Sequence, residues 1–291
     1  MGELVSGAAA VAAAGLAYSA GYEVRAFTLR RVDAAVLPRG SQPVRVLHFS
    51  DLHLTPAQRK KQRWLRSLAE LKPDLVVATG DFIAHEQAVP PLLAALEPLG
   101  DIPKLFVFGS NDYYGPKLKN PARYLFEDKG VRIHDDPLPT DELRAGLKAQ
   151  GWIDLTHRRY CVSVAGAALE FRGTDDAHLG LDDYTKIAGP VGPDVVGIGV
   201  THAPYLRVLD AMAADEVAMI FAGHTHGGQL CIPFYGALVT NCDLDRKRAS
   251  GLSRHDGAWL HVSAGAGTNP YTPVRFACRP SATLVTLTAL D

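Results

Sequence analysis

Five apolar runs in this chain each stop at a small residue and then at a side chain that can ligate a metal. Val44 to Phe49 leads into Ser50-Asp51-Leu52-His53, and Leu75 to Ala78 into Thr79-Gly80-Asp81. Leu105 to Phe108 is followed by Gly109-Ser110-Asn111-Asp112, and Val195 to Val200 by Thr201-His202. Val217 to Phe221 runs into Gly223-His224-Thr225-His226-Gly227-Gly228. Short apolar runs bounded by turn residues read as buried strands. Donors placed at the ends of five such strands require a sheet whose strand ends converge on one edge.

The segments between the runs carry the helical period. Pro56 opens a helix through Leu71, with Trp64, Leu65, Leu68 and Leu71 on one face, and Lys72-Pro73 stops it. A second helix is expected from Val89 to Leu99. Strand, helix, strand, helix, strand implies parallel strands joined by right-handed crossovers. Further on, Pro121 to Lys129 and Thr140 to Gln150 read as short helices. Tyr160 to Val164 and Ala168 to Arg172 read as a hairpin, Tyr205 to Ala214 as a helix, and Trp259 to Ser263 and Thr283 to Leu287 as strands. The expected fold is α/β, a four-layer αββα sandwich of two mixed β-sheets flanked by helices. The expected organisation is an N-terminal hydrophobic segment over 1–24, a linker over 25–43 and one domain over 44–291.

Apolar residues make up 47% of the 291, enough for a sizeable core. Thirty basic against 31 acidic side chains give a net charge of -1, and nothing in that balance calls for nucleic acid. Cys161, Cys231, Cys242 and Cys278 show no C-x-x-C spacing, which argues against a disulfide framework or zinc knuckle and for reduced thiols in a cytosolic setting. Residues 4–22 carry no charge, lack a basic segment before them, and are followed by Arg25, Arg30 and Arg31. Close to the ~20 residues that a span needs, they are expected to form a single anchor holding the domain at the cytoplasmic face of the cell membrane. The alternative is an alanine-rich helix packed on the domain or lying at the bilayer surface.

A pair of divalent cations needs mixed nitrogen and oxygen ligands and one carboxylate shared between the ions. Asp51 and His53 lie two apart and can reach one ion. Asp81 can bridge. His202, His224 and His226 supply nitrogens, and Asn111 or Ser110 a neutral oxygen. Such a set suits manganese, iron or zinc better than magnesium or calcium.

In this order the motifs resemble the calcineurin-like metallophosphoesterase superfamily, whose pattern is D-x-H, G-D, G-N-H-D/E, a lone histidine, then G-H-x-H. The resemblance covers Val44 to about Leu287. The G-H-T-H-G-G-Q stretch and the Gly265 to Phe276 region look most like bacterial membrane-associated members. It implies a hydrolase of phosphate esters, diesters or pyrophosphates. Asp51, His53, Asp81 and His226 would hold the first ion. Asp81, His202, His224 and the third-motif oxygen would hold the second. A hydroxide between the ions would attack phosphorus. The expected substrate is a small phosphorylated molecule; a phospholipid or other lipid-linked molecule enters only through the N-terminal segment.

The third motif departs from the pattern. Ser110 and Asn111 stand where the family has an asparagine ligand and a histidine. Asn111 is the better neutral donor and, with Asp81, the expected catalytic position. Ser110, Tyr113 and His85 are expected to meet substrate. The missing histidine leaves two alternatives. The leaving group needs little protonation, as in an anhydride or activated diester, or His85, His178 or Tyr113 has taken its role. A contrasting reading keeps the fold and metals but makes the chain a non-catalytic module for a phosphorylated ligand. The remaining histidines read as surface or structural, and Asp175-Asp176 as part of a solvated acidic loop.

Overall fold

Alternation along the apolar runs sorts their side chains onto two faces, and the computed structural model shows what each face meets. It describes residues 13–116 and 136–291. The first sheet is ordered β1 (Thr28–Leu37), β14 (Ser281–Ala289), β2 (Val44–Phe49), β3 (Leu75–Thr79), β4 (Lys104–Val107), β5 (Trp152–Asp154). Strands β2 to β5 are parallel, and β14 runs antiparallel to β2. The second sheet is ordered β12 (Gly251–His255), β13 (Ala258–Val262), β9 (Met219–Ala222), β8 (Val196–Val200), β7 (Ala167–Gly173), β6 (Arg158–Val164). Its four middle strands are parallel and both edge pairs antiparallel. A two-stranded ribbon, β10 (Cys231–Ile232) with β11 (Gly236–Ala237), stands apart.

Val46, Val77, Leu105 and Val107 point from the first sheet toward Phe171, Ile198, Val200 and Phe221 of the second, forming one core between the sheets. The other faces of the same strands, Leu47, Phe49, Val76 and Phe106, pack on α1 (Arg59–Ser67), α2 (Val89–Leu96) and α4 (Thr140–Ala149). Ile220 and Leu260 cover the outer face of the second sheet with Val208, Leu209 and Met212 of α5 (Leu206–Ala214). Burial of each such side chain stabilises the fold by about 1.5–3 kcal/mol. The result is helices, sheet, sheet, helix: the four-layer sandwich expected. Pro90 and Pro91 sit in the first turn of α2, where the missing N–H costs nothing. The short α3 (Ser110–Tyr113) follows β4. The helix expected over 121–129 lies outside the described residues.

Two expectations about the N-terminal region are corrected. The stretch read as a linker, 25–43, contains the ten-residue β1, parallel to β14 from Thr28↔Ser281 to Leu37↔Ala289. Its outer face is polar because it is an edge strand, which made it read as irregular chain. The single anchor at the cytoplasmic face of a membrane is also not what forms. No helix among the described residues is long and apolar enough to cross a membrane. The described part of the anchor segment is helical from residue 13, widens into a π-turn over Tyr18–Tyr22 and ends in a 3-10 turn at Glu23–Arg25. It lies on the domain. The Arg275 amide donates to the Ser19 carbonyl, the buried Glu23 carboxylate accepts the Ala277 and Cys278 amides, and Phe27 stacks on Trp64 at 4.9 Å. A carboxylate buried against protein amides has its partners there, whereas in hydrocarbon it would have none.

Candidate metal centre

The carboxyl ends of β2, β3, β4, β8 and β9 meet where the two sheets close on each other, the edge at which parallel strands offer their loops. One carbonyl ties the sheets together. Thr79 O accepts the Ser50 hydroxyl at 2.9 Å from the first sheet and His202 Nδ1 at 2.6 Å from the second. The Gly223 amide then donates to His202 O at 2.8 Å, and the Asp51 amide to Gly80 O at 2.9 Å.

This scaffold brings the ligand atoms of Asp51, His53, Asp81 and His226 within 4.8 Å of one another. His53 Nε2 lies 3.2 Å from His226 Nε2 and 3.4 Å from Asp81 Oδ2, and His226 Nε2 is 3.5 Å from Asp51 Oδ1. Asp81 faces a second group as well. Its Oδ2 is 3.5 Å from His202 Nε2 and accepts the Asn111 side-chain amide at 2.8 Å, while Oδ1 accepts the Asn111 backbone amide at 2.8 Å. The amide group of Asn111 can be turned over to present its oxygen instead. The His224 amide donates to both Asp51 oxygens, and its ring lies 5.3 Å from that of His202. Asp81 therefore stands between two groups of donors.

The backbone is strained to achieve this. Asp51, His53, Asp81, His224 and His226 have φ of 53°, 41°, 55°, 71° and 51°. A non-glycine residue held in this region costs on the order of 1–3 kcal/mol, and such residues persist where the surroundings impose them. Close approach does the rest. A Cβ on Gly109 would come within 2.3 Å of Asp81 Oδ1, and one on Gly223 within 1.9 Å of the Ser50 hydroxyl.

Three imidazoles are oriented by backbone carbonyls: His202 by Thr79, His226 by Gly267 at 3.1 Å, and His224 by Asn241 at 3.1 Å. A ring nitrogen that donates to a carbonyl fixes the tautomer and leaves the other nitrogen as a lone-pair donor, the usual arrangement of metal-ligating histidine. His202 Nε2 and His53 Nδ1 are buried with no hydrogen-bond partner. Burial holds His53 down to about 4 and His226 well below the usual imidazole range. For His202 burial works against the charged form, but Asp81, Asp51 and Asp176 outweigh it and push its pKa up to about 9. Asp51 is pushed up to about 6, chiefly by burial. The lone pairs of neutral His53 and His226 and the carboxylates of Asp51 and Asp81 face one another in a buried space, and His202 is drawn toward the charged form by the same carboxylates. Both features mark a site that attracts positive charge, so the residues present fit divalent metal ions.

The other expected substrate contacts divide. Ser110 Oγ stands beside the Asn111 amide at 3.4 Å. Tyr113 donates its hydroxyl to Asp175 at 2.7 Å, and burial with that bond pushes its pKa far up. His85 is exposed, and its Nδ1 accepts the Gln87 amide as the cap of a short turn. His178, in contrast, lies against His224 with ring centres 4.5 Å apart.

Several residues around the centre had no role in the sequence reading. Asp112 is fully buried and accepts the amides of Asp81, Phe82 and Gly109 at 2.7–3.0 Å, locking the second and third loops together. Asp176 is not solvated as expected but fully buried, accepting the His178 and Leu179 amides. Arg275, also fully buried, donates to Ala264, Gly265 and Gly267 carbonyls beneath His226, and Lys61 caps the Leu52 carbonyl. For Asp112 the signal was its place directly after Asn111; for Arg275 the sequence held none.

Similarity to known proteins agrees with this geometry. Residues 44–228 match the family model "Calcineurin-like phosphoesterase". A Bacillus subtilis (strain 168) protein named "Uncharacterized metallophosphoesterase YkuE" is 28% identical over 89% of this chain and 84% of its own length. "Phosphodiesterase YaeI" of Escherichia coli (strain K12) is 23% identical over 90% of this chain and 88% of its own. Among solved structures, purple acid phosphatase PPD1 from yellow lupin (Lupinus luteus) seeds aligns over 82% of this chain and 46% of that one, with a TM-score of 0.43 and 13% identity.

Proposed function

Because this chain belongs to the calcineurin-like phosphoesterase family and is a metal-dependent phosphoester hydrolase, we propose that the converged donors are its catalytic centre and that they hold two ions. The observation that carries this reading is the approach of Asp51, His53, Asp81 and His226 to within 4.8 Å of one another at the strand ends. Asp51, His53, Asp81 and His226 make one pocket of ligands. Asp81, Asn111, His202 and His224 make the other, with Asp81 common to both. Bound divalent ions, of which manganese, iron and zinc suit the donor set, supply Lewis-acid polarisation of a phosphoryl group and acidify water.

The protein's own contribution is placement. Carbonyl bonds from Thr79, Gly267 and Asn241 hold three rings in one tautomer. Asp112 fixes the turn that carries Asp81. Asn111 at the histidine position cannot donate a titrating proton to a leaving group, and of the three side chains considered for that task only His178 stands against a ligand, His224. A positioned acid is typically worth ~10²–10⁴-fold. The centre therefore favours leaving groups that need little protonation: phosphodiesters with acidic alcohols and phosphoanhydrides, over alkyl monoesters.

The test is metal-stripped protein reloaded separately with manganese, iron, zinc and magnesium, then assayed on a chromogenic phosphodiester, a pyrophosphate and an alkyl monoester. Manganese is expected to activate most, and the alkyl monoester to be slowest. Faster turnover of the alkyl monoester overturns the leaving-group argument. An Asp81→Asn variant that keeps both tight metal binding and full turnover overturns the shared-ligand centre.

A further inference from the structure

We propose that Cys231 and Cys278 are a dithiol that hydrogen peroxide oxidises to a disulfide, and that this modification deforms the turn carrying His226. The two residues are 47 positions apart in sequence but are drawn together by pairing of the chain. The Cys231 amide donates to Phe276 O at 2.9 Å, and the Phe276 amide to Gln229 O at 3.0 Å. Both sulfurs then converge on one carbonyl. Cys231 Sγ is 3.2 Å and Cys278 Sγ 3.5 Å from Gly227 O, and Cys278 Sγ is 3.3 Å from His226 O. Two sulfurs that both reach the Gly227 carbonyl are neighbours. Cys278 is buried, and Cys231 is partly open to solvent. A thiol pair with one member open to solvent is the arrangement in which peroxide oxidises one sulfur and the neighbouring thiol resolves it.

The chemistry balances with peroxide as the oxidant. One of the two sulfurs, as its thiolate, attacks one peroxide oxygen, the O–O bond breaks, and its sulfenic acid and, with the proton the thiol gave up, one water result. The other thiol then attacks that sulfur, expelling a second water as the S–S bond forms. The sulfur pair loses two electrons and both S–H protons leave in water. A thiol reductant reverses the step by exchange.

The consequence follows from what the S–H groups hold. Oxidation removes the donors to the His226 and Gly227 carbonyls and draws the sulfurs to bonding distance. Cys278 has little freedom, because Glu23 holds its amide at 2.6 Å and Arg275 donates to its carbonyl at 3.1 Å. The adjustment falls on Gly227 and Gly228, which have φ of 63° and 85° and directly follow His226. A displacement of about 1 Å at a positioned group can cost ~10²-fold in rate.

Zinc-loaded protein serves for the test, since zinc has no redox chemistry of its own. It is exposed to hydrogen peroxide, quenched, blocked with iodoacetamide and digested. The expected result is a peptide pair linked through Cys231 and Cys278 and lighter by about 2 Da than the two thiol peptides, while Cys161, which is exposed, is alkylated. This readout needs no hydrolysis, so it stands or falls apart from the proposed catalytic centre. In the same samples turnover should fall about tenfold or more and return with dithiothreitol. Cys231→Ser should keep its initial activity and lose the reversible inhibition. Absence of the 231–278 link, or the same reversible inhibition in Cys231→Ser, overturns the proposal.

Discussion

Two clusters of histidine are reached from β2, one through His48 on the strand and one through His53 just past its end, and they are built on opposite terms. At the strand ends His53, His202, His224 and His226 sit among Asp51 and Asp81, three of the four on left-handed backbone, with His53 Nδ1 and His202 Nε2 unpartnered. In the core between the sheets, His48 and His261 share a 2.8 Å Nδ1···Nδ1 hydrogen bond, and His48 Nε2 meets the Thr79 hydroxyl at 3.0 Å. Neither core ring faces a carboxylate, and both lie on ordinary strand backbone. Burial alone does not distinguish a metal centre from a structural pair. Strain, unpartnered nitrogens and facing carboxylates do: the donors of the first cluster crowd one another, and those of the second pair off.

The sharpest way to break the comparison is to remove one ring from each cluster. His53→Ala should lower turnover by ~10³-fold or more, since metal polarisation is worth several kcal/mol in the transition state. Its melting temperature without metal should fall less than that of His261→Ala, because His53 Nδ1 bonds to nothing and loss of the ring relieves the crowding of His226 Nε2 and Asp81 Oδ2 around Nε2. His261→Ala should do the reverse. It leaves a cavity and strands His48 Nδ1, costing about 2–4 kcal/mol of stability, while the remaining folded protein keeps its turnover within a few-fold. Parallel assays of phosphodiester hydrolysis and thermal unfolding decide the matter. Similar losses of both properties in both variants would erase the distinction.

How much of this was legible in the sequence follows the same division. The strand-end donors were legible because each terminates an apolar run, and a buried strand leaves little else for its end to do. The sandwich was legible because buried apolar runs and helical segments alternate from Val44 to Phe108 and further short strands follow. Strand β1 was not, since an edge strand with Arg30, Arg31 and Asp33 on its open face resembles a linker, and its partner β14 lies at the far end of the chain. For the segment ending at residue 24 the anchor was the wrong choice over a helix packed on the domain, because alanine and glycine carry no sign of what they pack on; Glu23, docked on Ala277 and Cys278, is the residue that settles its place. Arg275 was illegible for a related reason. Its guanidinium is satisfied by main-chain carbonyls, which leave no mark in side-chain chemistry.

A second prediction sharpens the idea that the edge cluster is incomplete by itself. Ligands that bind only the native state add stability by mass action, about 2.7 kcal/mol at a free concentration of 100 Kd. For a domain of this size that is roughly 5–10 °C in melting temperature. Stripping the protein with a chelator should lower the transition by this amount, and manganese or zinc should restore it. In His53→Ala the metal-dependent rise should shrink, whereas in His261→Ala it should persist on a lowered baseline. A wild-type melting temperature indifferent to metal would mean that the strained loops hold themselves.

The smallest effect concerns the completed pair and acid. Burial lowers the pKa of His261 to about 3 and that of His48 well below its usual value, so both are neutral in the native state. In the unfolded chain each would titrate near 6.5. Between pH 6.5 and about 3 the unfolded state therefore binds protons that the native state does not, and stability must fall as pH falls through that window. Each histidine contributes at most about 1.4 kcal/mol per pH unit. Replacing both together with leucine removes the donor and the acceptor at once, which costs far less than stranding one. The double variant should lose stability less steeply than wild type between pH 6 and 4, in metal-loaded protein compared by chemical denaturation at each pH. His53 and His226 are depressed too, but with metal bound in both proteins their contribution cancels in the comparison. Identical slopes would mean that the core histidines keep a protonated form in the native state, and the contrast between a complete and an incomplete cluster would then rest on geometry alone.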